Sequence, residues 1–112
     1  MKLLPLIVLL VIIFATPAEP LASQERPSGI SPEGAGVFAS NCQGCHGSGA
    51  RGLQGPRVRG PKVRGPKLAG NPILNSERFW QTVLHGRGRM PAWEHTLSEQ
   101  EIANILAWLK TL

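Results

Sequence analysis

Several things are scarce in this 112-residue chain, and each scarcity narrows what it can be. Two cysteines, Cys42 and Cys45, allow at most one disulfide. They also leave no second ligand pair at metal spacing for zinc, because His85 and His95 stand ten apart. No segment alternates apolar and polar residues with period two, so little or no sheet is predicted. The longest apolar run, Leu3 to Ala15, falls short of the ~20 residues a membrane-spanning helix needs. Apart from Met1 there is a single methionine, Met90, and no acidic residue lies between Glu33 and Glu77.

What is present begins with an export pattern. Met1 and Lys2 precede the apolar run, and small residues follow at Thr16, Ala18, Ala22 and Ser23. Residues 1–22 therefore read as a signal peptide cut after Ala18 or Ala22, with an uncleaved membrane anchor as the alternative that Pro5 and the imperfect cleavage pattern leave open. Residues 23–29 read as a Pro/Ser linker and 30–112 as one domain. A domain this small builds too little core alone and needs a disulfide, a metal or a cofactor.

Cys42-Gln43-Gly44-Cys45-His46 supplies the means. C-x-x-C-H is the attachment signature of c-type haem. Two thiols three residues apart add to the two vinyl groups on one edge of the porphyrin, and the adjacent histidine reaches the iron. A redox dithiol of the thioredoxin kind needs a βαβ setting, which this Gly/Pro-rich body does not offer.

Three main helices are expected, an all-α domain with long loops. Ser31-Pro32-Glu33 starts the first, with Ser31 as N-cap, and it carries Val37 and Phe38 toward Cys42. The second starts at Asn75 or Ser76, places Phe79, Trp80, Val83 and Leu84 on one stripe, and stops at Gly86. The third opens on the capping pair Ser98 and Glu101 and buries Ile102, Ile105, Leu106 and Leu109 with Trp108 alongside. Met90, set among glycines and Pro91 in an irregular loop, is the candidate sixth ligand of an iron held by His46, since histidine and thioether are a standard haem pair. His85 and His95 compete with it.

On these residues the chain resembles the class I c-type cytochromes, from about Ser31 to Leu112. "CQGCHG", "LAGNP", "GRGRMPAW" and "LSEQEIANILAWL" are similar to the family's successive signatures, and Gly34, Phe38, Ile105 and Trp108 match the positions where its first and last helices cross. The resemblance implies the cytochrome c fold around one covalent haem c. It further implies an electron carrier rather than an enzyme, with His46 and Met90 on the iron. The alternative is a haem-bearing subunit of a periplasmic dehydrogenase or oxidase. A third possibility, a haem-free metal or interaction module, is one that a covalent haem stain after denaturation eliminates.

The family's loop after the haem motif carries a G-P-x-L-x-G pattern whose proline carbonyl accepts the Nδ1 hydrogen of the ligand histidine. Here "GPRVRGPKVRGPKLAG" offers that Gly-Pro three times, at Pro56, Pro61 and Pro66. Pro66 is favoured because Leu68 supplies the bulkier apolar residue placed against the haem and because "AGNP" continues the pattern; Pro56 is the runner-up. The remaining copies form a basic excursion carrying Arg57, Arg59, Lys62 and Arg64. Redox partner proteins with an acidic docking surface, or anionic lipid headgroups, suit that charge. Nucleic acid is excluded by export to the periplasm or the outer face of the cytoplasmic membrane. Arg87 or Arg89 is a candidate partner for a haem propionate.

Overall fold

The computed structural model describes residues 25–53 and 64–112, together with residue 15. The leader 1–22 and the repeat copies at Pro56 and Pro61 lie outside the described residues. Among the described residues four helices carry the domain: α1 (Ser31–Asn41), the single turn α2 (Gln43–His46), α3 (Glu77–His85) and α4 (Glu99–Leu109), with 3₁₀ turns at Ser48–Ala50 and Pro72–Asn75. Among the described residues the one extended pairing is an isolated bridge between Arg87 and Met90. None of the described helices is long and apolar enough to cross a membrane.

The frame of the domain is the crossing of α1 and α4. Gly34 permits it: a Cβ there would collide with the backbone of Asn104 and Ile105, so any larger residue would force the helices apart. Beside the crossing Phe38 meets Trp108 with ring centroids 4.9 Å apart, and Phe38, Ile102 and Leu109 are the largest fully enclosed side chains. α4 begins with a complete capping box, in which the Glu101 N–H donates to Ser98 Oγ (3.1 Å) and the Ser98 N–H to Glu101 Oε1 (3.0 Å).

α1 starts one residue earlier than its sequence suggests. Ser31 is already helical, and Ile30 is the extended residue before it, held there because its N–H donates to Asn104 Oδ1 (2.8 Å). Asn104 is buried and also donates from Nδ2 to Glu33 Oε2 (3.3 Å) while Oδ1 accepts from Gln100 Nε2 (2.9 Å). One amide thus joins α4 to both the chain before α1 and its first turn. Burying it is tolerable because its oxygen and nitrogen are both used.

The segment expected to be a linker is bonded to the domain from Arg26 onward. Gln100 Nε2 donates to the Ser28 carbonyl (2.7 Å), and Gly29 sits so close to Ala103 that a Cβ would collide with its carbonyl. Arg26 reaches Glu77 Oε1 (2.6 Å) and Glu99 Oε1 (2.9 Å), at the first residues of α3 and α4, and lies 4.7 Å over the Trp80 ring. Trp80 is therefore buried under Arg26, packed edge-on against Phe79, and lines none of the cavities described below.

Candidate cofactor site

α2 is one turn of helix placed directly after α1, so Cys42 closes one helix and opens the next. The His46 N–H returns to the Cys42 carbonyl (3.0 Å), which fixes the histidine one turn beyond the first cysteine. Both thiols are free and half-buried. Burial, with Cys45 close by, pushes the Cys42 thiol up to about 11. No group of three or more His, Cys, Asp or Glu among the described residues is arranged to hold a metal ion.

The chain after the repeat docks onto this turn from the other side. The Gly65 N–H donates to the Cys45 carbonyl (2.8 Å), and the N–H groups of Leu68 and Ala69 donate to the Ala50 carbonyl (2.9 and 3.1 Å). Between them, His46 Nδ1 lies 2.8 Å from the Pro66 carbonyl oxygen. A carbonyl can only accept, so Nδ1 carries the hydrogen and the lone pair is left on Nε2. Gly65 passes against the face of the same ring, and a Cβ there would overlap it.

Met90 is held differently. Its N–H donates to the Arg87 carbonyl (3.0 Å) and its carbonyl accepts from the Arg87 N–H (3.1 Å), closing a tight turn after α3. The loop is drawn back to that helix by the N–H groups of Trp93 and Glu94, which donate to Val83 and Leu84 carbonyls (2.9 and 3.3 Å). His85 and His95, the competing ligands, are outside the slot: both face Glu94 at the surface, at 3.6 and 3.2 Å.

Three adjoining cavities, of about 240, 30 and 420 Å³, open between these two sides. Among the described residues His46 and Met90 are the two that line all three. Cys42 and Cys45 line the first, the deep second is walled by side chains such as Phe38, Phe79, Ile102 and Leu109, and the third is bounded by Leu68, Ile73 and Thr82. A flat apolar group with one edge at the cysteines fits this slot. Its overall size suits a small-molecule site, whose usual range is ~300–1,000 Å³.

A turn of sequence C-x-x-C-H, an apolar slot above it and a proline carbonyl on the histidine define the class I c-type cytochromes. The sequence profile described as cytochrome c oxidase, cbb3-type, subunit III matches residues 31–109, and the chain belongs to that family. It is 36% identical over 78 residues to cytochrome c6 of Euglena gracilis, covering 70% of this chain and 87% of the relative. It is 29% identical over 93 residues to the cbb3-type cytochrome c oxidase subunit CcoP of Cereibacter sphaeroides, covering 82% of this chain but 31% of that one. Among solved structures, cytochrome cL from Methylophaga aminisulfidivorans superposes with a TM-score of 0.56 at 27% identity, over 71% of this chain and about half (51%) of that one. The fold is that of cytochrome c, the cofactor is covalently bound haem c, for which Cys42 and Cys45 stand at the attachment spacing, and the activity is electron transfer.

Sequence reasoning missed Asn104 and Arg26. Asn104 falls inside an apolar helix pattern where only an unexplained polar residue marks it, and Arg26 lies in a stretch whose Pro and Ser content suggested no contacts.

Proposed function

We propose that His46 Nε2 and Met90 Sδ are the axial ligands of the haem iron and that the protein is a one-electron carrier with no open iron position. The observation that carries this reading is that, among the described residues, these two alone line every compartment of the slot. Haem c supplies a one-electron iron couple. The protein's part is to hold that couple in an apolar shell and to present one edge of it. The Pro66 carbonyl orients the His46 ring and raises its basicity, while a thioether opposite and a low-dielectric surround raise the potential relative to two histidines. With both axial positions filled by the chain, substrate binding and peroxide chemistry have no place to occur, and the protein does not act as an enzyme.

Residues 1–22 serve as the export signal or as an anchor, and the domain works in the periplasm or at the outer face of the cytoplasmic membrane. Partners are redox proteins that approach the edge marked by the cysteines. Arg64 and Arg89 flank that edge, and the repeat adds Arg57, Arg59 and Lys62 upstream in the same acid-free stretch. An acidic partner surface complements it, and association slows as salt is raised. The match to the oxidase subunit family favours a second arrangement, in which the same haem domain serves inside an oxidase or dehydrogenase complex. An isolable 1:1 complex with a catalytic chain distinguishes it from a diffusing carrier.

Replacing Met90 tests the ligation. Matured Met90→Ala retains covalent haem but changes from a low-spin to a high-spin or ligand-exchanged optical spectrum, and its midpoint potential falls. An unchanged spectrum excludes Met90 as ligand.

A further inference from the structure

Among the described residues no carboxylate lines the slot, and the arginines and lysines that reach it are Arg64, Arg87 and Arg89. They do not reach the same part. Arg64 and Arg89 line only the compartment that contains both cysteines, whereas Arg87 lines that compartment and also the third, which contains neither. The chemistry of haem c turns this into an orientation. Its thioethers form on the vinyl edge, and its two propionate carboxylates project from the opposite edge. Pinning the vinyl edge at Cys42 and Cys45 sends the carboxylates toward the third compartment.

Two ionic or amide side chains there compete for them. Asn71 is already committed, its Oδ1 accepting from the Ile73 N–H (3.0 Å) and its Nδ2 donating to the Lys67 carbonyl (3.0 Å). Arg87 is the remaining cation among the described residues of that wall. Its backbone is fixed by the paired bonds to Met90, so the guanidinium and the thioether are presented by one rigid turn. A planar fork of N–H donors matches a carboxylate in a way the other wall residues cannot.

We propose that Arg87 is the positioning residue that pairs with a haem propionate, while Arg64 and Arg89 remain at the thioether edge. The proposal rests on the reading of His46 and Met90 as ligands and extends it: the same turn that offers the sixth ligand also grips the cofactor's carboxylate. Removing the pairing cation leaves the propionate charge uncompensated, which favours ferric over ferrous iron.

The experiment is a nuclear magnetic resonance measurement on the intact, matured protein in its diamagnetic ferrous state. Nuclear Overhauser contacts are expected between Arg87 side-chain protons and the propionate methylenes; contacts from Arg64 or Arg89 in their place overturn the assignment. The Met90 methyl signal, shifted strongly upfield by the haem ring current, is read in the same spectrum. Its absence sinks the ligation reading separately from the Arg87 proposal. As a second measurement, Arg87→Gln lowers the midpoint potential and the drop persists at high ionic strength, because a hydrogen-bonded contact pair is screened less than charge acting from a distance. Arg87→Lys recovers part of it, and the smaller drop in Arg89→Gln disappears with salt. A potential for Arg87→Gln equal to the unaltered protein's at high salt overturns the proposal.

Discussion

The two sides of the slot use backbone hydrogen bonds to different ends. On the His46 side, Gly65, Pro66 and Leu68 bond across to Cys45, His46 and Ala50, and one of those bonds ends on the imidazole itself. On the Met90 side, bonds close the turn onto Arg87 and draw the following chain back to α3, and all of them are between backbone groups. The ring of His46 is therefore oriented by the polypeptide before any cofactor is considered. The thioether, on three rotatable bonds, takes its final direction from what it meets. One of the two proposed ligands is preset and the other adapts.

The harshest way to break that contrast is Gly65→Val. Its side chain would overlap the His46 ring, and overpacking of this kind costs roughly 1–3 kcal/mol. The variant is expected to melt well below the parent. Its midpoint potential should rise, because a histidine pushed away from the Pro66 carbonyl is a weaker donor to ferric iron. A variant with parental melting and parental potential would show that the ring is not preset.

A smaller effect, away from both proposed ligands, is expected for Arg26→Ala. It removes contacts to Glu77, Glu99 and Trp80 and should lower the melting temperature slightly while leaving the optical spectrum unchanged. The hydrogen bond from Arg26 holds the Glu77 carboxyl below its ordinary 4.5. A carboxyl depressed in the folded state stabilises above its ordinary value and loses that contribution as pH falls through the folded one. Melting curves of parent and variant should thus converge in acid, below pH 4.5. A gap that widens there would contradict the assignment.

The least effect is expected from deleting residues 55–64, two whole repeat units. Gly52 already lies beside Lys67, a Cβ on it falling 3.6 Å from the Lys67 nitrogen, so the ends to be joined are near. Loop-closure entropy changes by only about 0.6 kcal/mol per halving of length. Haem attachment and spectrum should be retained, while the salt dependence of partner association flattens. Loss of covalent haem in the deletion would mean that the His46 side needs an upstream copy.

Much of this site could be read from the sequence because its chemistry demands particular residues at particular spacings. Cys42, Cys45 and His46 are one turn of helix, and Met90 stands out by being almost the only methionine. Helices α3 and α4 were readable within a residue or two, since Phe79, Val83, Ile102 and Ile105 repeat at helical intervals. The choice among three Gly-Pro copies was harder. Each can supply a carbonyl, and the geometry that brings Pro66 to His46 depends on Gly65 and Leu68 bonding to residues twenty or so positions earlier. Asn104 and Arg26 were hidden for a related reason: their value lies in partners more than 50 residues away, which no local pattern announces.

The N-terminal strap has a directional consequence. On α4, Gln100, Ala103 and Asn104 hold the strap, and Ile102, Ile105 and Leu109 wall the slot. At 3.6 residues per turn those two sets lie on opposite sides of the helix. The polypeptide thus enters the domain at its back, and Arg26 pins it there to the first residues of α3 and α4. If the upstream segment stays in a bilayer, it acts as a handle: the molecule swings from its rear, and the edge through which electrons leave is kept turned outward.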